Sequence, residues 1–277
     1  MVILVVGDLV DDIGVRPLGP INPASDTVAE IRMTHGGSAA NVAAWLGHLG
    51  ASARFVGRAG NEGVRRHAEA LTTHGVDARI SGDPDLPTAT IVLTLDDAAD
   101  RTMFVDRAAN SSLTPEHLTD DVWDDVTWLH LTGYTFFDLA TRPVAHAAVA
   151  EARRRGVGVS IDPSSLGFLK VAGRKAARGW FADADLVFPN EDEQRFLGLD
   201  VDSAVETRGA AGARFGEVAV DALASDVLDT TGAGDAFCAG FLAEWVSAAD
   251  APSALAAGSA AAAQCVALRG ARPPGGR

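Results

Sequence analysis

The chain has 277 residues, of which 47% are hydrophobic and 22% are charged, and its formal net charge is −14. This length suits one large α/β domain or two small ones, with a sizeable core. The acidic balance argues against a nucleic-acid partner, because such proteins need a basic surface to displace counterions, whereas a small phosphorylated ligand needs only one local anion site.

The cysteine pattern and the N-terminus limit the class of protein further. Cys238 and Cys265 lie in apolar stretches of predicted helix, so we expect buried free thiols. The opening run MVILVVGDLV has no basic region and is too short to span a membrane, which predicts a cytoplasmic protein with no membrane partner. The two lysines, Lys170 and Lys175, lie outside any Gly-x-x-x-x-Gly-Lys-[Ser/Thr] pattern, which excludes a P-loop kinase.

Residues 2–6 form a continuous apolar run that ends at Gly7, the pattern of a buried central strand in a parallel sheet. Ligands of such sheets bind beyond the carboxyl ends of the strands. Asp8, Asp11 and Asp12 follow this end and are candidates to bind hydroxyl groups. An acidic turn exposed to solvent fits the same spacing equally well.

Three further segments have the period-two alternation of half-exposed strands. They are residues 27–33, 90–95 and 101–105, and the last two are predicted to form a hairpin across the turn 96–100. The pattern alone leaves open whether they form a small separate sheet or extend the main one.

Glycine turns and alternating strands and helices fill the middle of the chain. Gly36 and Gly37 enter an alanine-rich helix that contains Asn41, and residues 128–132, 140–155, 157–161 and 184–188 read as strand, helix, strand and strand. Asn190 and Glu193 lie at the predicted start of a short acidic helix. Acidic residues favour such a position simply because of the helix dipole. This rhythm predicts a parallel sheet covered by helices.

The stretch DTTGAGDAFCAGFL, residues 229–242, places a glycine turn in front of a helix. Phe237, Phe241 and Trp245 recur every four residues and predict the buried face of that helix. Unpaired amides and the helix dipole make such a turn a natural anion site. Asp235 follows directly, where it either accepts a proton from an attacking hydroxyl or only favours the helix terminus.

The same stretch closely resembles the C-terminal signature of the ribokinase (PfkB) family of carbohydrate and nucleoside kinases. The segment from Gly36 to Asn41 is similar to the N-terminal Gly-Gly-x-x-x-Asn signature of that family. The resemblance covers nearly the whole chain and implies one ribokinase-like domain over residues 1–277. The implied fold is a three-layer α/β fold, with a parallel central sheet between helices and a small β lid from insertions at about 13–35 and 87–108.

The resemblance also implies site residues. Asp235 corresponds to the catalytic base, and an anion hole for the γ-phosphate is formed by Gly232, Ala233 and Gly234. The expected substrate-binding residues are Asp12, Gly36, Gly37, Asn41 and Asn110. The expected nucleotide-binding residues are Asn190, Thr207, Gly209 and Gly212. The implied cofactors are ATP and Mg²⁺, with Glu193 placing Mg²⁺ through water, and K⁺ beside Asp229 at the end of a predicted strand 226–228.

The chain departs from the family pattern after Glu193. The segment 194–228 is shorter than the corresponding segment of family members, with room for one brief helix and a minimal strand at 204–206.

The function implied first is ATP-dependent phosphorylation of a sugar hydroxyl. The alternative is a nucleoside kinase, for which the candidate base platforms are Phe104, Tyr134, Phe136 and Phe137. The alternative from another class is a catalytically weak sugar- or nucleotide-binding protein. The exposed lid predicts a homodimer through the lid.

Overall fold

A computed structural model of the protein describes residues 1–95 and 101–275, so the predicted turn 96–100 lies outside the described residues. Within those ranges the chain forms thirteen strands and nine α-helices, joined in places by short 3₁₀ turns. The strands are β1 (Val2–Val6), β2 (Val10–Pro17), β3 (Ala29–Gly36), β4 (Ala53–Gly60), β5 (Asp77–Asp83), β6 (Thr90–Leu95), β7 (Arg101–Asp106), β8 (Val126–Thr132), β9 (Gly158–Asp162), β10 (Leu186–Val187), β11 (Val205–Thr207), β12 (Ala213–Phe215) and β13 (Val218–Val220). The helices are α1 (Ser38–His48), α2 (Asn61–Thr72), α3 (Tyr134–Phe137), α4 (Arg142–Arg155), α5 (Leu166–Ala172), α6 (Arg174–Phe181), α7 (Glu191–Leu197), α8 (Ala233–Ala248) and α9 (Ala251–Val266).

The main sheet is parallel, has six strands and runs in the order β10-β9-β8-β1-β4-β5. Strand β1 lies in the middle and is apolar on both sides, because Ile3 and Val5 belong to one core and Leu4 and Val6 to the other. The first core is closed by α1, α8 and α9, and the second by α4 and its neighbours α5 to α7. The three-layer α/β fold with a parallel central sheet is therefore confirmed.

A separate four-stranded sheet forms the lid, in the order β3-β2-β6-β7. Strand β2 pairs with β6 in parallel and with β3 antiparallel, and β6 pairs with β7 antiparallel. The alternative that these strands extend the main sheet is wrong. Strand β2, which follows β1 after three residues, was not revealed by the alternation of apolar and polar residues. The predicted strand 27–33 is observed slightly later, at β3.

Residues 198–228 contain more structure than the sequence indicated. A three-stranded antiparallel sheet, β11-β12-β13, follows α7, and each of its strands has only three residues. The predicted strand 204–206 corresponds to β11, whereas β12 and β13 are too short for a periodic pattern to reveal them. The predicted strand 226–228 is wrong, because this segment is irregular and Leu228 donates its amide to the carbonyl of Val266 (2.7 Å).

Two other predictions concern the cysteines and the membrane. Cys238 and Cys265 are both buried and free, as expected. Among the helices of residues 1–95 and 101–275, none is long and apolar enough to cross a membrane.

Candidate active site

Two cavities meet at the N-terminus of α8. The first, which we call the phosphate cavity, has a volume of about 230 Å³, and the second, the lid cavity, has about 690 Å³ and opens beneath the four-stranded lid. Both are lined by Ser38, Tyr134, Gly232 and Asp235. A group transferred between ligands in the two cavities would therefore pass Asp235.

The Asp235 carboxylate is held by two donors from α1. Ser38 donates its Oγ hydroxyl to Oδ1 (2.7 Å), and Asn41 donates Nδ2 to Oδ2 (2.9 Å). Burial raises the pKa of Asp235 to about 7, and these two hydrogen bonds oppose the rise. A base with a pKa near neutrality suits proton transfer from a hydroxyl.

The turn before α8 has the geometry of an anion site. Gly232 has a φ of 78° and is the last residue before α8. The amides of Ala233 and Gly234 belong to the first turn of this helix. A Cβ atom on Gly232 would lie only 2.5 Å from the Cβ atom of Ala271, whereas one on Gly234 would meet nothing within 4 Å. Gly232 is therefore required for packing, and Gly234 borders the open cavity.

The three aspartates after β1 have different surroundings. Asp8 accepts the amides of Ser38 (3.0 Å) and Ala39 (3.2 Å) and so caps α1. Asp11 pairs with Arg66 and His67 on α2. Asp12 lines the lid cavity, and its carboxylate makes no hydrogen bond or ion pair with any described residue. Burial raises its pKa to about 6. Of the three, Asp12 is therefore the one available to a ligand.

The remaining predicted acceptor residues surround Asp12 and the lid cavity. Gly36 lies so close that a Cβ atom there would meet Asp12 Oδ2 at 2.0 Å, and Gly37, with a φ of 95°, lines the cavity. Asn41 lines the cavity and binds Asp235. Asn110 also lines it, but its amide group is bonded at both ends to the backbone of Leu9.

The predicted nucleotide and Mg²⁺ residues divide into two groups. Asn190, Glu193 and Thr207 line the phosphate cavity, and the first two also form a reciprocal cap of α7, with both bonds at 3.0 Å. Gly209 and Gly212 border neither cavity. The Gly212 backbone lies against β13, since a Cβ atom there would be 1.9 Å from the carbonyl oxygen of Val220.

The predicted cation residue, Asp229, joins the two chain segments beside the anion site. Its Oδ1 accepts the amide (2.9 Å) and hydroxyl (2.7 Å) of Thr231, and its Oδ2 accepts the amide of Gly270 (3.0 Å). These contacts fix the turn that leads to Gly232.

Two charged residues of the site were missed at the sequence level. Asp162 ends β9, lines the phosphate cavity, and has a raised pKa because of burial and the nearby charges of Glu193 and Asp235. Its position at the carboxyl end of a parallel strand was a usable signal. Arg272 reaches Asn41 from the C-terminal tail, and no local pattern marks it.

The aromatic residues predicted as base platforms lie in different surroundings. Phe136 is fully buried in the second core, and Phe104 lies on a lid position between the cavity-lining Met103 and Val105, outside the lining itself. Tyr134 lines the lid cavity together with Phe168, a residue not considered from the sequence. Their ring centroids are 6.1 Å apart.

The Asp235 carboxylate, with a pKa near 7, lies at a helix N-terminus, between two cavities and under the small four-stranded sheet, an arrangement that suits phosphoryl transfer. The chain matches the family described as pfkB family carbohydrate kinase over residues 2–275, so it belongs to that family and is a carbohydrate kinase.

Similar proteins agree with this assignment. An ATP-dependent ribose-1-phosphate kinase from Halopiger xanaduensis is 32% identical over 274 residues, covering 90% of this chain and 87% of that protein. A fructokinase from Vibrio alginolyticus is 29% identical over 75% of each chain. The solved adenosine kinase of Sinorhizobium meliloti shares the fold, with a TM-score of 0.86 at 23% identity over 98% of this chain and 95% of that one.

Proposed function

We propose that the protein transfers the γ-phosphoryl group of ATP to a sugar hydroxyl, with Asp235 as general base. The observation that carries this proposal is the position of the Asp235 carboxylate, where the phosphate cavity and the lid cavity meet. The name of the Halopiger relative supports ATP as donor and a sugar-type acceptor.

In this mechanism the acceptor enters the lid cavity, and Asp12 binds one of its hydroxyls. A second hydroxyl donates to Asp235, which takes its proton as the oxygen bonds to the γ-phosphorus. The bond between the γ-phosphorus and the oxygen of the β-phosphate breaks, and ADP leaves. The amides at Gly232, Ala233 and Gly234 hold the γ-phosphate oxygens, where the dipole of α8 favours negative charge. Ser38 and Asn41 keep the base in line with the attacking oxygen.

The phosphate cavity has the donor set for Mg²⁺. Asp162 and Glu193 both line it, and the pKa of each is raised by burial. Mg²⁺ prefers oxygen ligands and retains several waters, so two carboxylates with bound water suit it. When bound, the ion neutralises charge on the transferred phosphoryl group. Asn190 keeps Glu193 in place through the reciprocal cap.

The nucleotide is proposed to lie along β11 and the small sheet, with Thr207 toward the phosphates. Gly209 and Gly212 would shape this loop rather than contact the nucleotide directly. The alternative of a catalytically weak binding protein rested on residues 194–228, which are fewer than the family pattern implies. Membership of the carbohydrate kinase family favours the enzyme, and turnover of ATP that depends on a sugar acceptor tests it.

A nucleoside acceptor is the second candidate. Tyr134 and the half-exposed Phe168 form an aromatic wall in the lid cavity, and stacking of a base on such side chains is worth about 1–3 kcal/mol. The choice between the two acceptors depends on Asp12 and on this wall, because a free sugar would use Asp12 alone whereas a nucleoside would also use the wall. The relative losses caused by Asp12→Ala and Phe168→Ala therefore separate the two acceptors.

Two accessory features are also proposed. K⁺ would bind beside Asp229 and order the turn that forms the anion hole.

A homodimer would form through the lid, whose outer face carries the mutually paired Met33, Ile13, Val92 and Phe104 in one row. Met33 is 67% and Phe104 is 60% exposed in the single chain, which leaves apolar surface to cover. Phe104→Asp should yield a monomer by sedimentation, and a wild-type monomer at tens of micromolar, roughly the range of weak dimers, would contradict this.

The decisive experiment measures ADP release with Mg²⁺ across fructose, ribose, ribose 1-phosphate and adenosine. The sugar phosphate belongs in the panel because Arg32 lines the lid cavity and makes no ion pair within the described residues. We expect a sugar-type acceptor to give the highest kcat/KM. A higher value for adenosine, with Phe168→Ala more damaging than Asp12→Ala, would favour the nucleoside kinase.

A further inference from the structure

The C-terminal tail brings a guanidinium group into the candidate active site. Arg272 donates Nε to Asn41 Oδ1 (3.2 Å) and Nη2 to the carbonyl of Gly36 (3.0 Å). Its Nη1 atom is enclosed and has no hydrogen-bond partner among the described residues. The side chain therefore connects the end of lid strand β3 with helix α1.

The contact with Asn41 determines which way the amide group points. A guanidinium can only donate, so Asn41 must turn its oxygen toward Arg272. Its Nδ2 group then faces Asp235 and donates to Oδ2 (2.9 Å). The reversed amide would set an oxygen against the carboxylate. Arg272 thus selects the orientation of Asn41 that binds the base.

The tail that carries Arg272 is itself anchored at the site. Trp45 donates Nε1 to the carbonyl of Ala271 (2.9 Å), and the amide of Gly270 donates to Asp229. Ala271 also lies against Gly232 of the anion-hole turn. The backbone that precedes Arg272 is therefore held by α1 and by the segment that leads to the turn at Gly232.

The charge of Arg272 is unusual for its surroundings. Its hydrogen-bond partners are neutral oxygens, and no described carboxylate lies within ion-pair distance, although burial of an arginine ordinarily requires one. Burial lowers its pKa to about 10, and the charges of Asp12, Asp11, Asp235 and Asp8 oppose that fall. It stays protonated at neutral pH and favours the ionised form of the Asp12 and Asp235 carboxylates.

We infer that Arg272 is a positioning residue for phosphoryl transfer, which holds Asn41 and, through it, the base Asp235, while fixing Gly36 at the end of the lid. This inference rests on the proposed function, in which Asp235 is the base. It assigns a role in catalysis to the C-terminal tail, which the sequence motifs leave unassigned.

The test compares Arg272→Gln and Arg272→Lys with the wild type and with Arg65→Gln, which removes an exposed arginine of α2. We expect Arg272→Gln to lower kcat about 10- to 100-fold, the range expected when a buried polar group loses its partner, with little change in the KM for ATP. Loss of the positive charge should also move the acid limb of the pH profile to higher pH. Arg272→Lys keeps the charge, so it should retain the wild-type pH profile and an intermediate kcat.

A double-mutant cycle with Asn41→Ala distinguishes positioning from a general structural role. If Arg272 acts through Asn41, Arg272→Gln should cost much less in the Asn41→Ala background than in the wild type. If the double variant loses kcat by the product of the two single-variant factors, the inference is overturned. A wild-type kcat and pH profile for Arg272→Gln would overturn it as well. If Arg272→Gln does not fold, the Arg272→Lys variant carries the same cycle. Wild-type turnover by Asp235→Asn would instead refute the proposed function.

Discussion

Replacing Asp235 by Asn should abolish turnover and, at the same time, stabilise the protein at neutral pH. The variant keeps the shape of the side chain but cannot take a proton, and loss of general-base catalysis costs on the order of 10² to 10⁴ in rate. The stabilisation follows from burial, which raises the pKa of Asp235 to about 7 from the ordinary 3.8. The difference corresponds to roughly 4 kcal/mol that the ionised carboxylate costs the folded state.

Two effects reduce this gain. Asp235 is partly open to both cavities, so solvent screens part of the cost. An amide at position 235 also requires the Ser38 hydroxyl to rotate from donor to acceptor, which weakens the bonding by about 1 kcal/mol. We therefore expect a net stabilisation of about 2 kcal/mol above about pH 8, or an increase in Tm of about 4 to 8 °C.

The sign of the pH dependence provides a sharper check. Because the folded-state pKa is raised, the folded wild type binds more protons than the unfolded chain between about pH 4 and pH 7, so its stability falls as pH rises through this window. Near about pH 5.5 the charge cost is roughly halved and the advantage of Asp235→Asn should nearly disappear. Melting curves at both pH values test this, with Asp85→Asn, an exposed aspartate, as the control.

Either of two results would refute the reasoning. Turnover of Asp235→Asn at the wild-type rate, measured by ADP release, would mean that Asp235 only favours the helix N-terminus. A Tm difference that does not change with pH would mean that the pKa of Asp235 is not raised in the folded state.

Three further predictions concern the cavities. Gly234→Val adds a side chain toward open space in the phosphate cavity and should raise the KM for ATP at least about tenfold. Gly179→Val, on an equally open exposed helix position, should leave that KM unchanged, and equal losses in the two variants would indicate general destabilisation. Asp12→Ala should raise the KM of the acceptor and lower kcat while calorimetry finds unchanged ATP binding, and an unchanged acceptor KM would remove Asp12 from the site. K⁺ should raise activity through the turn that Asp229 holds, and identical rates in K⁺ and a bulky organic cation would eliminate that site.

The sequence by itself determined the family and the layer architecture, and it located the glycine turn that precedes the helix with Asp235. These features are local, because a strand such as Val2–Val6 and a turn such as Gly232 to Gly234 are each encoded within a few consecutive residues. The match over residues 2–275 confirms the family. The roles of the individual site residues stay predictions, although Asp235, Asp12 and Glu193 all line one of the two cavities.

The tertiary structure alone decided which of several equivalent residues the site can use. The pattern left Asp8, Asp11 and Asp12 open, and only their contacts separate a helix cap, an ion pair and a carboxylate free for a ligand. Short strands such as β12 and β13 form because distant segments pair, so three residues give no periodic signal. Arg272 meets Asn41 across 231 positions of the chain, and a contact at that separation exists only once the sheet and its helices have packed.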